Sequence, residues 1–164
     1  MNQLERIQTK ILDREKLENQ LAVWRFKSQK IVFTNGCFDL LHLGHIDYLS
    51  KAKDLGDVLV VGVNTDDSVR RLKGDTRPIT DEHSRGTIMA SLQFVSAVVL
   101  FDEDTPYELI RQVQPDVLVK GSDYKHEDIV GYDIVKAKGG KIVTIDYLEG
   151  YATSAIEKKI RETK

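Results

Sequence analysis

The sequence predicts a doubly wound α/β domain: a mostly parallel, five-stranded sheet with helices on both faces, preceded by a helical extension over residues 1–28. Two observations carry this prediction. Five short runs rich in β-branched residues, "KIVFTNG", "DVLVVGVN", "AVVLF", "DVLVKG" and "KIVTID", lack polar alternation, as strands covered on both faces do. Between them lie segments with apolar residues at helical spacing, and right-handed strand-helix-strand crossovers wind such an alternation into one parallel sheet.

In the first 28 residues Leu4, Ile7 and Ile11 recur at helical spacing, and Leu17, Leu21 and Trp24 repeat the pattern after Asp13, a candidate N-cap. This extension could cover an edge of the domain or contribute to a homodimer. "KIVFTNG" ends in Asn-Gly and reads as a buried strand entering a tight loop. From about Gly44, a helix puts Ile46, Leu49, Ala52 and Leu55 on one face, with Gly56 as its stop. "DDSVRRLKG" reads as a short helix running into a charged loop, and "DEHSRGTIMASLQFV" as a longer helix with Ile88, Leu92 and Val95 on one side. "TPYELIRQV" tolerates Pro106 in its first turn, and the helices "HEDIVGYDIVKAKGG" and "SAIEKKIRE" complete the set. No repeat, low-complexity segment or linker divides residues 29–164, which read as a single compact domain.

Composition excludes several classes. The chain has 164 residues, 41% hydrophobic and 30% charged, enough to bury a core without disulfides or structural metal. No run approaches the roughly 20 apolar residues that span a bilayer, and "MNQLERIQTK" holds no apolar signal core, so no membrane contact is expected. The single Cys37 excludes an internal disulfide and fits a reducing, cytoplasmic location. A net charge of -2 provides no global field for nucleic acid.

The stretch "TNGCFDLLHLGH", Thr34 to His45, admits three readings. Cys37 could be a nucleophile, but no carboxylate is fixed by sequence beside His42 or His45, and a small buried side chain at a strand exit is the simpler account. Cys37, His42 and His45 could ligate a metal, yet a structural zinc site takes four ligands, and His83 and His126 stand alone, so no metal site is expected. Third, a strand, a loop with Gly36 and then Gly44 at a helix start point backbone N–H groups at an anion, with two histidines at the mouth. The basic run "RRLKGDTR", Arg70 to Arg77, reads either as a solvated loop or as an anion-binding one.

"TNGCFDLLHLGHIDYLSKAK" resembles the signature of the nucleotidyltransferase superfamily, whose H-x-G-H motif, here His42 to His45, follows the first strand of a Rossmann-like sheet. "VGVNTDDSVRRLKGDTRPI", Arg85, "LFDEDTPYELI", "PDVLVKGSDY" and "GGKIVTID" narrow the resemblance to the heptose 1-phosphate adenylyltransferases. The resemblance implies AMP transfer from ATP to D-glycero-β-D-manno-heptose 1-phosphate, giving ADP-heptose and pyrophosphate for lipopolysaccharide or other surface glycans. No sugar-kinase segment precedes the domain in this chain, which therefore looks like the stand-alone transferase.

The resemblance also implies roles. His42, His45 and Lys73 would be catalytic, with Lys73 reaching across the phosphates; Thr34, Asn35, Gly36, Cys37, Phe38, Asp39, Gly44, Arg85, Thr153 and Ser154 would bind nucleotide. Asn64, Lys120, Gly121 and Asp123 would bind the sugar phosphate, and Mg²⁺ would arrive with ATP, held by phosphates and water. Asp39 is expected to organise its loop rather than to move protons. Two departures stand out: "YATSAI" replaces a Ser-Thr-Thr run before the last helix, and His83 stands where some relatives carry a carboxylate. A cytidylyltransferase acting on glycerol 3-phosphate shares the motif and is the rival enzyme. A non-catalytic nucleotide sensor on the same fold is the rival of another class.

Overall fold

The computed structural model of the chain describes residues 1–163. Five strands, β1 (Ile31–Gly36), β2 (Val58–Asn64), β3 (Ala97–Phe101), β4 (Val117–Gly121) and β5 (Lys141–Ile145), pair in the order β3-β2-β1-β4-β5, every pairing parallel. The sheet is therefore wholly parallel. Strands this apolar need cover on both sides, and residue alternation divides the core accordingly. Ile31, Phe33, Val60, Val99 and Leu118 pack with Leu17, Leu21, Leu109, Ile110 and Val135, which belong to α2 (Arg14–Phe26), α6 (Tyr107–Val113) and α7 (Tyr132–Ala137). Val32, Leu59, Val61, Val98 and Val119 pack on the other face with Leu49, Ala52, Met89 and Ala90, from α3 (Leu43–Lys53) and α5 (Glu82–Ser91).

The amino-terminal segment wraps around the β3 edge. Its first helix, α1 (Gln3–Gln8), opens with a capping box between Asn2 and Glu5, and α2 opens with Asp13 accepting from the Lys16 N–H. Between them Leu12 N–H donates to the Val98 carbonyl at 2.8 Å, and Val98 N–H to the Lys10 carbonyl at 2.8 Å. This short pairing closes an edge that would otherwise template aggregation. The segment read as an extension is thus built into the core, since Leu17 and Leu21 are fully buried beside β1. Leu21→Ala should cost about 3 kcal/mol, the usual range for a buried leucine. A shift in urea-unfolding free energy under about 1 kcal/mol would contradict that placement.

Two helices are shorter than their apolar periodicity predicts. Past Ser91, Leu92 turns extended (ψ 127°), and Ile88, predicted on the core side, is 41% exposed. The predicted helix from His126 is cut in two: a 3-10 turn, His126–Asp128, precedes α7, and Gly131 between them is left-handed at φ 88°. A left-handed residue ends an α-helical run, and glycine takes that conformation without a Cβ clash. The remaining helices are α4 (Asp66–Lys73), capped by the Thr65 hydroxyl, and α8 (Thr153–Glu162), none of whose residues is buried. Among the described residues no helix is long and apolar enough to cross a membrane.

Candidate active site

In an open parallel sheet the strand order reverses direction at one place, and the loops leaving the carboxyl ends there diverge and leave a crevice. Here that place lies between β1 and β4. A cavity of about 550 Å³ opens there, lined from β1 and its loop by Asn35 to Asp39, from α3 by His42, Gly44, His45 and Tyr48, and from β4 by Lys120 and Gly121. Lys73, Tyr124, Tyr147, Tyr151, Ala152 and Thr153 complete the wall.

The β1–α3 loop is held from behind by Asp39. Its carboxylate, 2% exposed, accepts from the backbone N–H of Ile79 (2.8 Å) and Thr80 (2.9 Å), and from the Arg77 guanidinium (2.9 Å). Burial pushes its pKa up, but the Thr80 and Ile79 amides and the Arg77 charge outweigh burial and hold it below the ordinary carboxylate value. Asp39 is therefore an ionised anchor, as the sequence reading expected of a loop organiser. Phe38 beside it is left-handed at φ 49°, a costly conformation for a side chain with a Cβ, and its ring packs edge-on to His45 with centroids 5.4 Å apart. Glycine is required at position 36 by close approach: a Cβ there would come within 3.0 Å of the Phe38 ring.

His42 occupies the N-cap position of α3, with its own carbonyl accepting from the His45 N–H at 2.9 Å and no side-chain cap. The N-terminal amides of an 11-residue helix are left to face the cavity, where they favour an anion. The two imidazoles stack, 3.8 Å between centroids and 23° between planes. Among the described residues the Nδ1 atoms of both are buried without a hydrogen-bond partner, so this polar capacity is not used by the fold. Burial, then the neighbouring His42 and Lys73, lower the His45 pKa to about 4, and burial lowers that of His42. Both shifts favour the neutral ring at pH 7, which carries one N–H donor and one acceptor nitrogen.

Two lysines flank the histidines in different ways. Lys73, the last residue of α4, is exposed and makes no hydrogen bond or ion pair among the described residues, leaving its charge free for the cavity. Gly74 after it stands at φ 94°, which ends the helix and turns the chain into the loop toward Arg77. Lys120 is held at the crevice floor by a hydrogen bond to the Asn35 side chain. Burial drops its pKa to about 8, with Asp123 and Cys37 opposing the shift. Paired neutral donors, two ammonium groups and a helix N-terminus on one cavity can bind a polyphosphate and offset charge as it shifts between oxygens.

Several residues expected to touch ligand are turned inward. Thr34 is fully buried, with its hydroxyl 2.8 Å from the Tyr48 hydroxyl. Asn64 lies 4% exposed and donates to Ser68 Oγ at 3.0 Å. Arg85, expected near the phosphates, has a fully buried side chain that donates to the Thr80 carbonyl (3.0 Å), the Cys37 carbonyl (2.7 Å) and the Asp66 carboxylate (2.8 Å). Its charge is spent on tying α4 and α5 to the β1 loop. Ser154 is exposed and lines a separate surface hollow with Glu157 and Lys158, and Asp123 is exposed beside Tyr147 rather than on the cavity wall. Sequence reasoning missed the aromatic rim of Tyr48, Tyr124, Tyr147 and Tyr151. A Cβ on Gly121 would lie 2.0 Å from the Tyr147 hydroxyl, a packing between separate segments that no local pattern announces.

The bifunctional protein HldE of Wolinella succinogenes is 53% identical over 154 residues, which cover 94% of this chain and 32% of that protein. HldE of Nitratiruptor sp. is 58% identical over 135 residues, 82% of this chain and 28% of that protein. The chain thus spans about a third of the length of the curated relatives it matches. A crystal structure of the lipopolysaccharide core biosynthesis protein from Thermoplasma volcanium superposes with a TM-score of 0.59 at 32% identity, covering 76% of this chain and 99% of the other. The cytidylyltransferase-like family model matches residues 33–157, from the middle of β1 into α8 and so across every wall of the cavity, and the chain belongs to that family.

Proposed function

We propose that the chain transfers AMP from ATP to D-glycero-β-D-manno-heptose 1-phosphate, releasing pyrophosphate and forming ADP-heptose. The observation that carries this reading is the convergence of His42, His45, Lys73, Lys120 and the α3 N-terminus on one crevice at the carboxyl ends of β1 and β4. A triphosphate and a sugar phosphate are both anions, and only such a set of donors offsets their mutual repulsion while they are brought together.

A phosphate oxygen of the sugar 1-phosphate, already ionised at neutral pH, attacks the α-phosphorus of ATP in line. The bond from that phosphorus to the oxygen bridging the α- and β-phosphates breaks, and the electron pair leaves on pyrophosphate. No proton need be removed from the nucleophile, so the site requires alignment and charge rather than a strong base. His42 and His45 donate to the α- and β-phosphoryl oxygens, strengthening as negative charge grows on the leaving side. Lys73 closes over the β- and γ-phosphates, and the Thr153 end of α8 adds N-terminal amides. Asn35 to Phe38 and Gly44 hold the nucleotide through backbone groups, while Lys120 and Gly121 face the sugar phosphate, with Asp123 at its margin. Mg²⁺ enters as part of the substrate complex.

The test is pyrophosphate release with ATP and CTP crossed against heptose 1-phosphate and glycerol 3-phosphate. Turnover is expected with ATP and heptose 1-phosphate. Turnover confined to CTP would replace this reading with the cytidylyl one, and nucleotide binding without turnover on either acceptor would leave a sensor.

A further inference from the structure

Three of the cavity's walls come from segments far apart in sequence: the β1–α3 loop carrying Asp39, the α4 end carrying Lys73, and the start of α8 carrying Thr153. One side chain joins all three. Arg77, four residues after Lys73, donates through one guanidinium nitrogen to Asp39 at 2.9 Å and through another to Glu157 at 2.6 Å. All three side chains are largely withdrawn from solvent, at 17%, 2% and 22% exposure, so this is not a solvated surface pair.

The Asp39 end of the fork is rigid, because the same carboxylate also takes the Ile79 and Thr80 amides. The Glu157 end is different. No residue of α8 is buried, and among the described residues Arg77–Glu157 is the only hydrogen bond or ion pair from an α8 side chain to the rest of the protein. With no residue fully buried, α8 has only partly covered side chains such as Ile156 to hold it by packing, so a single tie of this kind weighs heavily on its position.

We infer that Arg77 is a positioning residue that clips α8 to the β1–α3 loop, so that the Thr153 end of the helix and the Lys73 loop are presented to the phosphate site together. The inference rests on the nucleotide-binding reading of that cavity. Arginine suits the task because its planar fork serves two carboxylates at once, which a lysine ammonium on a flexible stem does not do with fixed geometry.

The test uses Glu157→Ala and Arg77→Lys in the full chain, the first removing only the α8 end of the clip and the second keeping the charge opposite buried Asp39. Affinity for a non-cleavable α,β-methylene ATP, the KM and kcat for ATP, thermal midpoint and amide hydrogen exchange across residues 153–160 are measured. Both variants should weaken analogue binding about fivefold or more, a typical coupling between linked elements. They should raise KM more than they lower kcat and speed exchange in α8, while Glu157→Ala leaves the thermal midpoint almost unmoved. Analogue affinity within twofold of the parent and unchanged α8 exchange in Glu157→Ala would overturn the inference. A parent protein that binds the analogue yet transfers nothing would defeat the adenylyltransferase reading and leave the clip standing; if the parent does not bind it at all, α8 exchange alone decides the clip.

Discussion

His45→Ala is expected to lower kcat by two or more orders of magnitude while changing the KM for ATP far less, the pattern of a donor whose interaction strengthens in the transition state. The ring sits over the α3 N-terminus, stacked on His42 and braced by Phe38, so its one N–H is held in place and little reorganisation is needed as charge moves to pyrophosphate. Because burial lowers the His45 pKa to about 4, the ring is neutral at pH 7. The same value predicts a pH signature in stability. In the unfolded chain the group titrates near 6.5, so between about 4 and 6.5 the unfolded state binds the extra proton and native stability rises with pH. His45→Gln should flatten that rise in urea-unfolding measurements at pH 4.5, 5.5 and 6.5. Near-parental kcat in His45→Ala would remove the ring from the mechanism, and an unaltered pH slope in His45→Gln would show that its environment is not the buried one described.

Lys73→Ala should lower kcat/KM for ATP by roughly 100-fold, the loss expected when a full charge on a polyphosphate is withdrawn. Its effect on the thermal midpoint should be within a degree or two, since the side chain is exposed and bonded to nothing among the described residues. Activity loss with stability retained separates a ligand-facing lysine from one that props a loop. The reverse pattern, a lowered midpoint with parental kcat/KM, would return the basic run Arg70 to Arg77 to the solvated-loop reading. Arg85 supplies the contrast. Its guanidinium is committed on three sides, so Arg85→Ala would reduce stability and activity together.

The difference between these two basic residues shows where sequence reasoning stops. Strand identity, the order of alternation and the β1–α3 crevice were legible because they follow from local properties: unbroken β-branched runs, helical spacing, and glycines at a strand exit and a helix start. A mostly parallel sheet was expected from helices alternating with strands, and the structure shows every pairing parallel. Asp13 could be named as a cap and Asp39 as a loop organiser because capping and turn chemistry act within a few residues. The shorter α5 and α7 were not legible, since the apolar spacing continues past Ser91 and through Gly131 while the backbone turns extended at Leu92 and left-handed at Gly131.

What the sequence by itself determined is the class of fold and the end of the sheet where a crevice forms, and it offered the paired histidines and Lys73 as candidates, which the structure places on one cavity wall. Only the tertiary structure decided which candidates face the cavity and which face the protein. Thr34, Asn64 and Arg85 are as polar as His42, Lys73 and Lys120, and a string of letters cannot say whether a donor's partner is a phosphate or a carbonyl from a segment 48 residues away. That partner is set by long-range packing. The Arg77 fork belongs to the same category, because Asp39, Arg77 and Glu157 are separated by 38 and 80 residues and meet only once the sheet has brought β1 and α8 to the same edge of the crevice.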